Sequence, residues 1–229
     1  LSKMDHLVAI SDYVKETIVK KYDLPPNNIL VINRGVDTEY FNQPLDVGIR
    51  NNILKTHQID TAKKIILFPA RITSWKGQLK FIDVIKKIDT QNISVIFAGD
   101  TKNESYTKLV RDKIKQNNLE VVCKILGSVD QDEMRSLYQL TDLSVSFPLQ
   151  AEGFGRTITE SLYSKTPVLA FDYGGVKNQL VNLSDMFKVK PQDYQGLPAK
   201  IEKLLSFSEV QKKEEIEGVQ SIIESNFSK

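Results

Sequence analysis

The chain has a single cysteine, Cys123, in 229 residues. That excludes an internal disulfide and fits a reducing compartment. Its two histidines, His6 and His57, stand alone, so no His/Cys metal spacing exists. No apolar run approaches the roughly 18 to 20 residues that a membrane-spanning helix needs, and no stretch reads as a signal peptide. Charge of one sign is missing too: 31 basic against 29 acidic residues leave a formal charge of +2, which argues against a dedicated nucleic-acid binder. The Walker A pattern of P-loop enzymes is absent, as is the nucleophile elbow of hydrolases. Gly153-Phe-Gly155 is a G-x-G, but no third glycine follows at dinucleotide spacing, which disfavours a nicotinamide or flavin site. There is no internal repeat and no low-complexity segment.

What remains is ordinary globular composition, 41% hydrophobic and 26% charged, in a chain long enough to bury a sizeable core. One domain with an appendage is the natural expectation. The first residue is Leu1, in mid-pattern, so the chain reads as a fragment of a longer protein.

Short apolar runs alternate with helix-length amphipathic segments. Leu7 to Ile10 and Ile29 to Ile32 predict strands, separated by a helix from Ser11 or Asp12 to Tyr22. Asn33 to Asp37 reads as a turn, the Gln43-Pro44 region as a linker, and Asp46 to Gln58 as a helix. From Lys64 the pattern is regular. Strands are expected at Ile65 to Pro69, Ser94 to Ala98, Val121 to Leu126, Leu143 to Pro148, Val168 to Phe171 and Met186 to Val189. Helices are expected at Gln78 to Ile88, Ser105 to Gln116, Gln131 to Leu140, Arg156 to Ser164, Val176 to Leu180, Tyr194 to Leu205 and Glu209 to Ser225. Such alternation, with unalternating apolar strands, means an α/β fold: a Rossmann-like parallel sheet with helices on both faces. The Lys212-Lys213-Glu214-Glu215 cluster reads as a solvated helix face.

Chemistry concentrates in two loops. Ala151 to Gly155 lies between a strand and a helix, where ligands of open α/β sheets bind. Gly153 and Gly155 allow close backbone approach, and the helix behind them turns free N–H groups toward an anion. Glu152 on the loop and Glu160 one turn into the helix can face one crevice and accept hydrogen bonds from vicinal hydroxyls. On spacing alone, a solvated loop acid and a helix-surface acid are equally good readings. The second loop carries Arg71 and Lys76 before Gly77, a forked donor and a point charge suited to a diphosphate. Asp130-Gln131-Asp132 resembles a metal-binding D-x-D, but Asp130 and Glu133 are better explained as a helix-capping box.

These residues carry a resemblance. Glu152-Gly-Phe-Gly-Arg-Thr-Ile-Thr-Glu160 is similar to the E-x7-E signature of retaining glycosyltransferases with two Rossmann domains, the GT-B type, and more narrowly to glycosyltransferase family 4. Phe68 to Gly77 resembles the family's diphosphate loop, and Pro167 to Gly175 its P-V-I-A-x-D-x-G-G segment. Ala9-Ile-Ser11 and Asn33-Arg-Gly-Val-Asp37 resemble the passage between its two domains. Four ordered motifs make the match specific.

The resemblance implies a nucleotide-diphosphate sugar, linked to UDP, GDP or ADP, as donor, with no obligatory cofactor or metal. Arg71 and Lys76 would hold the diphosphate and Glu152 the hydroxyls of the transferred sugar, beside amides of Gly153, Phe154 and Gly155. Amides around Arg156 and Thr157 would meet phosphate. Glu160 would bind the ribose hydroxyls, and the segment ending at Val129 would meet the base. Residues 1–40 would be the tail of an amino-terminal domain with its linker, and 41–229 the donor-binding domain. The acceptor, a glycan or lipid such as lipopolysaccharide or capsule, would bind the missing domain, leaving this half inactive or weakly active alone. The implied location is the cytoplasm, with attachment to the inner face of the membrane left open. Ala70 replaces the glycine usual before the arginine. Lys165 or Thr166 replaces another at a helix end, where a left-handed non-glycine residue costs about 1 kcal/mol. Two other classes stay open: another nucleotide-sugar enzyme on this architecture, and a non-catalytic binding module.

Overall fold

The computed structural model describes residues 6–181 and 183–217. The chain opens with a small β-α-β unit: β1 (Leu7–Ala9), α1 (Asp12–Tyr22) and β2 (Ile29–Val31), with β1 and β2 paired in parallel. Ser11 caps α1 by accepting the Val14 N–H at 3.2 Å. Pro25 and a short turn at Pro26–Asn28 separate the helix from β2.

Next come α2 (Thr38–Phe41) and α3 (Val47–Thr56). Asp46 caps α3, its carboxylate accepting the Ile49 N–H at 2.9 Å. The turn–linker region expected before α3 therefore contains a helical turn, because Asp37 caps it at the Tyr40 N–H. Phe41 and Val36 are buried in the core of the main sheet, so the division expected at residue 40 falls inside α2.

The main sheet has six parallel strands: β3 (Lys64–Pro69), β4 (Ile93–Ala98), β5 (Cys123–Gly127), β6 (Leu143–Ser146), β7 (Val168–Phe171) and β8 (Lys188–Val189). Their spatial order is β5-β4-β3-β6-β7-β8. Counted from β3 this is 3-2-1-4-5-6, the doubly wound order, whose switch point lies between β3 and β6. The connecting helices are α4 (Gln78–Ile85), α5 (Glu104–Gln116), α6 (Gln131–Leu140), α7 (Arg156–Tyr163), α8 (Lys177–Leu180) and α9 (Leu197–Leu205), and residues 209–217 form a further helix. They cover both faces of the sheet, so every residue of β4 and β7 is buried. The continuous apolar strands follow from that.

A chain of phenylalanines fills the layer beside the switch point. Phe68 of β3 meets Phe81 of α4 at 5.4 Å and Phe97 of β4 at 5.6 Å between ring centroids. Phe147, just past β6, continues the chain to Phe81 at 5.5 Å and to Phe171 of β7 at 5.2 Å. Tilted ring pairs at these distances add about 0.5–1.5 kcal/mol each beyond burial. They make a rigid floor under the loops that leave β3 and β6.

Several element ends differ from expectation. Helix α4 stops at Ile85 rather than Ile88, because Lys87 and Ile88 turn into three-residue hydrogen bonds to Val84 and Ile85. Strand β5 starts at Cys123, after a turn in which Val122 bonds back to Leu119. Helix α9 starts at Leu197, since Gln192 takes a left-handed φ of 63° and Pro198 then suits the first helical turn. Only Lys188–Val189 pairs as the last strand. The expected final helix continues to residue 225, but residues 218–225 lie outside the described residues.

Lys213 and Glu214 are exposed, as a solvated face requires, but Lys212 is an exception. It is only 6% exposed, and its ammonium bonds Asp142 at 2.9 Å and Glu209 at 2.8 Å. Asp142 also bonds Lys64 Nζ at 2.8 Å and the Ile65 N–H at 2.9 Å. Burial alone would raise the Asp142 carboxyl, but the lysines and this N–H outweigh it and hold it low.

Candidate active site

The loop after β3 is shaped by backbone contacts that only glycine permits. Gly77 sits at φ 89°, and a Cβ there would stand 2.2 Å from the Phe147 carbonyl oxygen. Gly99, after β4, lies equally close to Ala70, where a Cβ would meet its carbonyl oxygen at 2.3 Å. The buried Gln78 side chain donates to the Arg71 carbonyl at 2.9 Å, and Trp75 accepts the Leu149 N–H at 2.7 Å. Arg71 and Lys76 are thereby delivered to the carboxyl end of the sheet. Arg71 is exposed and makes no side-chain hydrogen bond or ion pair among the described residues.

The loop after β6 is braced from two sides. The Gly175 N–H donates to the Glu152 carbonyl at 2.9 Å, and the Tyr173 hydroxyl donates to the Pro148 carbonyl at 2.7 Å. From the other side the Ser11 hydroxyl donates to the Gly153 carbonyl. Gly155 caps α7 in a left-handed conformation, φ 87°. At the far end of α7, Lys165 takes φ 62° where glycine is usual, so this helix does close through a left-handed lysine.

The two loops face each other across a cleft of about 530 Å³ at the switch point, lined by Arg71, Lys76, Val129, Glu152, Arg156, Thr157 and Glu160. These residues come from three loops and one helix, up to 89 positions apart (Arg71 to Glu160). Gly153, Phe154 and Gly155 do not line it. A Cβ on Gly153 would point at Val14 of α1, and Phe154 is buried in the core. Asp130 does cap α6: its carboxylate accepts the Glu133 N–H, and the Glu133 carboxylate accepts the Asp130 N–H in return. Among the described residues no three His, Cys, Asp or Glu side chains are grouped to hold a metal ion. A cavity of about 590 Å³ lies at the opposite, amino-terminal ends of β6 and β7, but its buried cation, Lys212, is already held by two carboxylates.

Two ion pairs define the electrostatics of the cleft. Lys76 Nζ lies 2.6 Å from Glu152 Oε1, with both side chains largely buried, and its ammonium sits 4.3 Å from the Trp75 ring centre. Arg156 Nε lies 2.9 Å from Glu160 Oε1. The other oxygen of Glu160 accepts the Tyr138 hydroxyl at 3.0 Å. Burial raises the Glu160 carboxyl, while Arg156, Tyr138 and Arg34 oppose the rise. Tyr138, Trp75 and Arg34 were not expected in the site. Tyr138 follows Met134 and Leu137 on the inward face of α6, so its position reads as core.

The arrangement can bind an anion beside a hydroxyl-rich group. Three cations, Arg71, Lys76 and Arg156, and three carboxylates, Asp130, Glu152 and Glu160, line one crevice at the switch point of a doubly wound sheet.

Comparison with known proteins places the fold and the family. The architecture is a Rossmann-like domain of GT-B type. The profile described as Glycosyl transferases group 1 matches residues 49–217. The chain belongs to this family. An uncharacterized glycosyltransferase of Methanocaldococcus jannaschii is 24% identical over 201 residues, covering 87% of this chain and 50% of that protein. A glycosyltransferase structure from Rickettsia africae superposes with a TM-score of 0.89 at 28% identity, over 98% of this chain and 59% of that one. HepE from Anabaena, solved with UDP and glucose, gives 0.83 at 22% identity, over 98% and 59%. The chain thus spans about half the length of the curated relative and under two thirds of the solved chains. No helix among the described residues is long and apolar enough to cross a membrane.

Proposed function

We propose that this chain is the donor-binding half of a retaining glycosyltransferase, which moves a sugar from a nucleotide-diphosphate sugar to a glycan or lipid acceptor. The observation that carries the reading is the meeting of Arg71, Lys76, Glu152 and Glu160 in one cleft at the switch point. A diphosphate leaving group gains negative charge as the glycosidic bond breaks, and cations in a part-buried cleft stabilise it without a divalent metal. Arg71 and Lys76 supply those cations. Glu160 accepts hydrogen bonds from the ribose hydroxyls, and Glu152 from the sugar. The base lies toward Val129, and the α7 residues Arg156 and Thr157 sit beside the phosphates. The resemblance to the E-x7-E signature supports retention of anomeric configuration as part of this reading.

The acceptor site and efficient transfer belong to the remainder of the longer protein, and the enzyme works at the cytoplasmic side. UDP is the first candidate nucleotide, since the structural neighbour HepE binds it. Calorimetric titration with UDP, GDP and ADP, with and without Mg²⁺, tests the reading. One nucleotide is expected to bind, equally well in both buffers. Arg71→Ala and Glu160→Ala are each expected to weaken it about tenfold or more. Unchanged affinity in both variants would refute the assignment.

A further inference from the structure

The two groups assigned to different parts of the donor hold each other. Lys76 Nζ is 2.6 Å from Glu152 Oε1, and the side chains are 14% and 13% exposed. Glu152 makes no other side-chain bond among the described residues. Its backbone is pinned through the Gly175 N–H, so the carboxylate can leave Lys76 only by side-chain rotation. Arg71, in contrast, is exposed and uncommitted. The charged and titratable groups that share the cleft or face the pair are Arg71, the Arg156–Glu160 ion pair, Asp130, which caps α6, Tyr173, whose hydroxyl donates to the Pro148 carbonyl, and Tyr13 beyond it. None of these replaces Lys76 as a partner of Glu152 in this structure.

We propose that the Lys76–Glu152 pair makes the cleft prefer the intact nucleotide-diphosphate sugar over the nucleoside diphosphate left after transfer. This rests on the donor-site reading above. A bare diphosphate recruits Arg71 freely, but reaches Lys76 only by drawing it off Glu152. That leaves a part-buried carboxylate unpaired and facing an anion, which is strongly unfavourable. An intact donor brings hydroxyls as well as phosphates. The hydroxyls donate to Glu152 as Lys76 turns to phosphate, so both members of the pair exchange partners and neither is left alone. Once the sugar has gone to the acceptor, Glu152 loses its hydroxyls, reclaims Lys76, and loosens the diphosphate. The pair is thus a device for product release.

The counterintuitive consequence is the test. Glu152→Gln keeps the shape and removes the charge. The variant is expected to bind the nucleoside diphosphate about threefold to tenfold more tightly than wild type, and the corresponding sugar nucleotide more weakly by a similar factor. The probes are UDP with UDP-glucose, GDP with GDP-mannose, and ADP with ADP-glucose, titrated into the 229-residue chain. Glu152→Ala is the second variant, with the same expected direction, and thermal melting checks that both fold. Arg71→Ala, outside the pair, is expected to weaken both ligands of a couple alike. If wild type binds a couple and neither Glu152 variant tightens the nucleoside diphosphate, the pair does not gate release and the proposal is wrong. If wild type binds none of the six ligands, the donor-site reading fails, and this proposal with it.

Discussion

Replacing Tyr138 by phenylalanine removes one oxygen atom from the wall behind Glu160 and leaves the ring in place. The ring is fully buried, so no cavity larger than a hydroxyl opens. The lost bond is the 3.0 Å donation from the tyrosine to Glu160 Oε2. A hydrogen bond to a charged, buried carboxylate contributes about 1.5–3 kcal/mol. Two effects follow. The ionised form of Glu160 loses a stabilising donor, so its carboxyl, already raised by burial, rises further. Its rotamer is then held only by Arg156, whose side chain is 57% exposed and on its own helix. Arg34 from the turn before α2 remains at longer range, with Asp37 and Asp130 as the nearby acids. If Glu160 binds ribose hydroxyls as proposed, it does so as the ionised acceptor, and binding is expected to be lost as pH falls through the Glu160 pKa. In Tyr138→Phe the acid limb of nucleotide affinity is expected to move to higher pH. Affinity at neutral pH is expected to fall about tenfold, one to two kcal/mol of the lost bond. The assay is calorimetry from pH 5 to 8, paired with carbon NMR titration of the Glu160 carboxyl, which needs no ligand. An unmoved Glu160 titration would refute the reasoning, because packing by the ring alone would then account for Tyr138.

Other expectations concern stability and loop geometry. Asp142→Ala leaves the Lys212 ammonium with only the exposed Glu209 and orphans the Ile65 N–H. It should cost about 3–5 kcal/mol, on the order of 10 °C in melting temperature. Because the Asp142 carboxyl is held low in the folded state, its stabilisation is present in full above about pH 4 and lost as pH falls through the depressed value. Urea denaturation of wild type and Asp142→Asn should therefore converge in acid, and parallel curves would contradict this. Gly77→Ala forces a Cβ against the Phe147 carbonyl oxygen and should cost more than about 2 kcal/mol while abolishing nucleotide binding. Gly127→Ala, at a similar φ of 82° but in open space, should cost only about 1 kcal/mol. Equal melting temperatures for the two variants would show that the clash is relieved.

The alternation of apolar runs with amphipathic helices made the fold legible, because a parallel sheet covered on both faces leaves no other pattern. The cleft was legible loop by loop. Lys76 and Glu152 stand beside glycines in loops that follow strands, Arg71 shares the loop of Lys76, and Glu160 lies one turn into the helix after Gly155. What was not legible depends on strand order. Lys76 and Glu152 are 76 residues apart, and they touch because β3 and β6 are neighbours, which no local pattern encodes. Tyr138 escaped for a different reason: helical spacing reports which face a residue occupies, but not that a hydroxyl protrudes from that face into a site. Lys212 sits in a charged cluster whose composition reads as solvated. Its burial depends on Asp142, which precedes β6 in another part of the chain. Phe41, next to the expected linker, belongs to the core through contacts with Tyr138 of α6, at 6.3 Å between rings.

The bracing of the Glu152 loop by Ser11 bears on where this protein can be cut. The matched family span begins at residue 49, and a boundary at residue 40 is equally tempting. Either cut discards the Ser11 hydroxyl that holds the Gly153 carbonyl, the Asp12 carboxylate that receives Asn178 at 2.9 Å, and the Val36 side chain in the core. The piece of chain that matches the family is therefore smaller than the piece that keeps the Glu152 loop in shape. Anything that pulls on the first strand pulls on the carboxylate's loop as well.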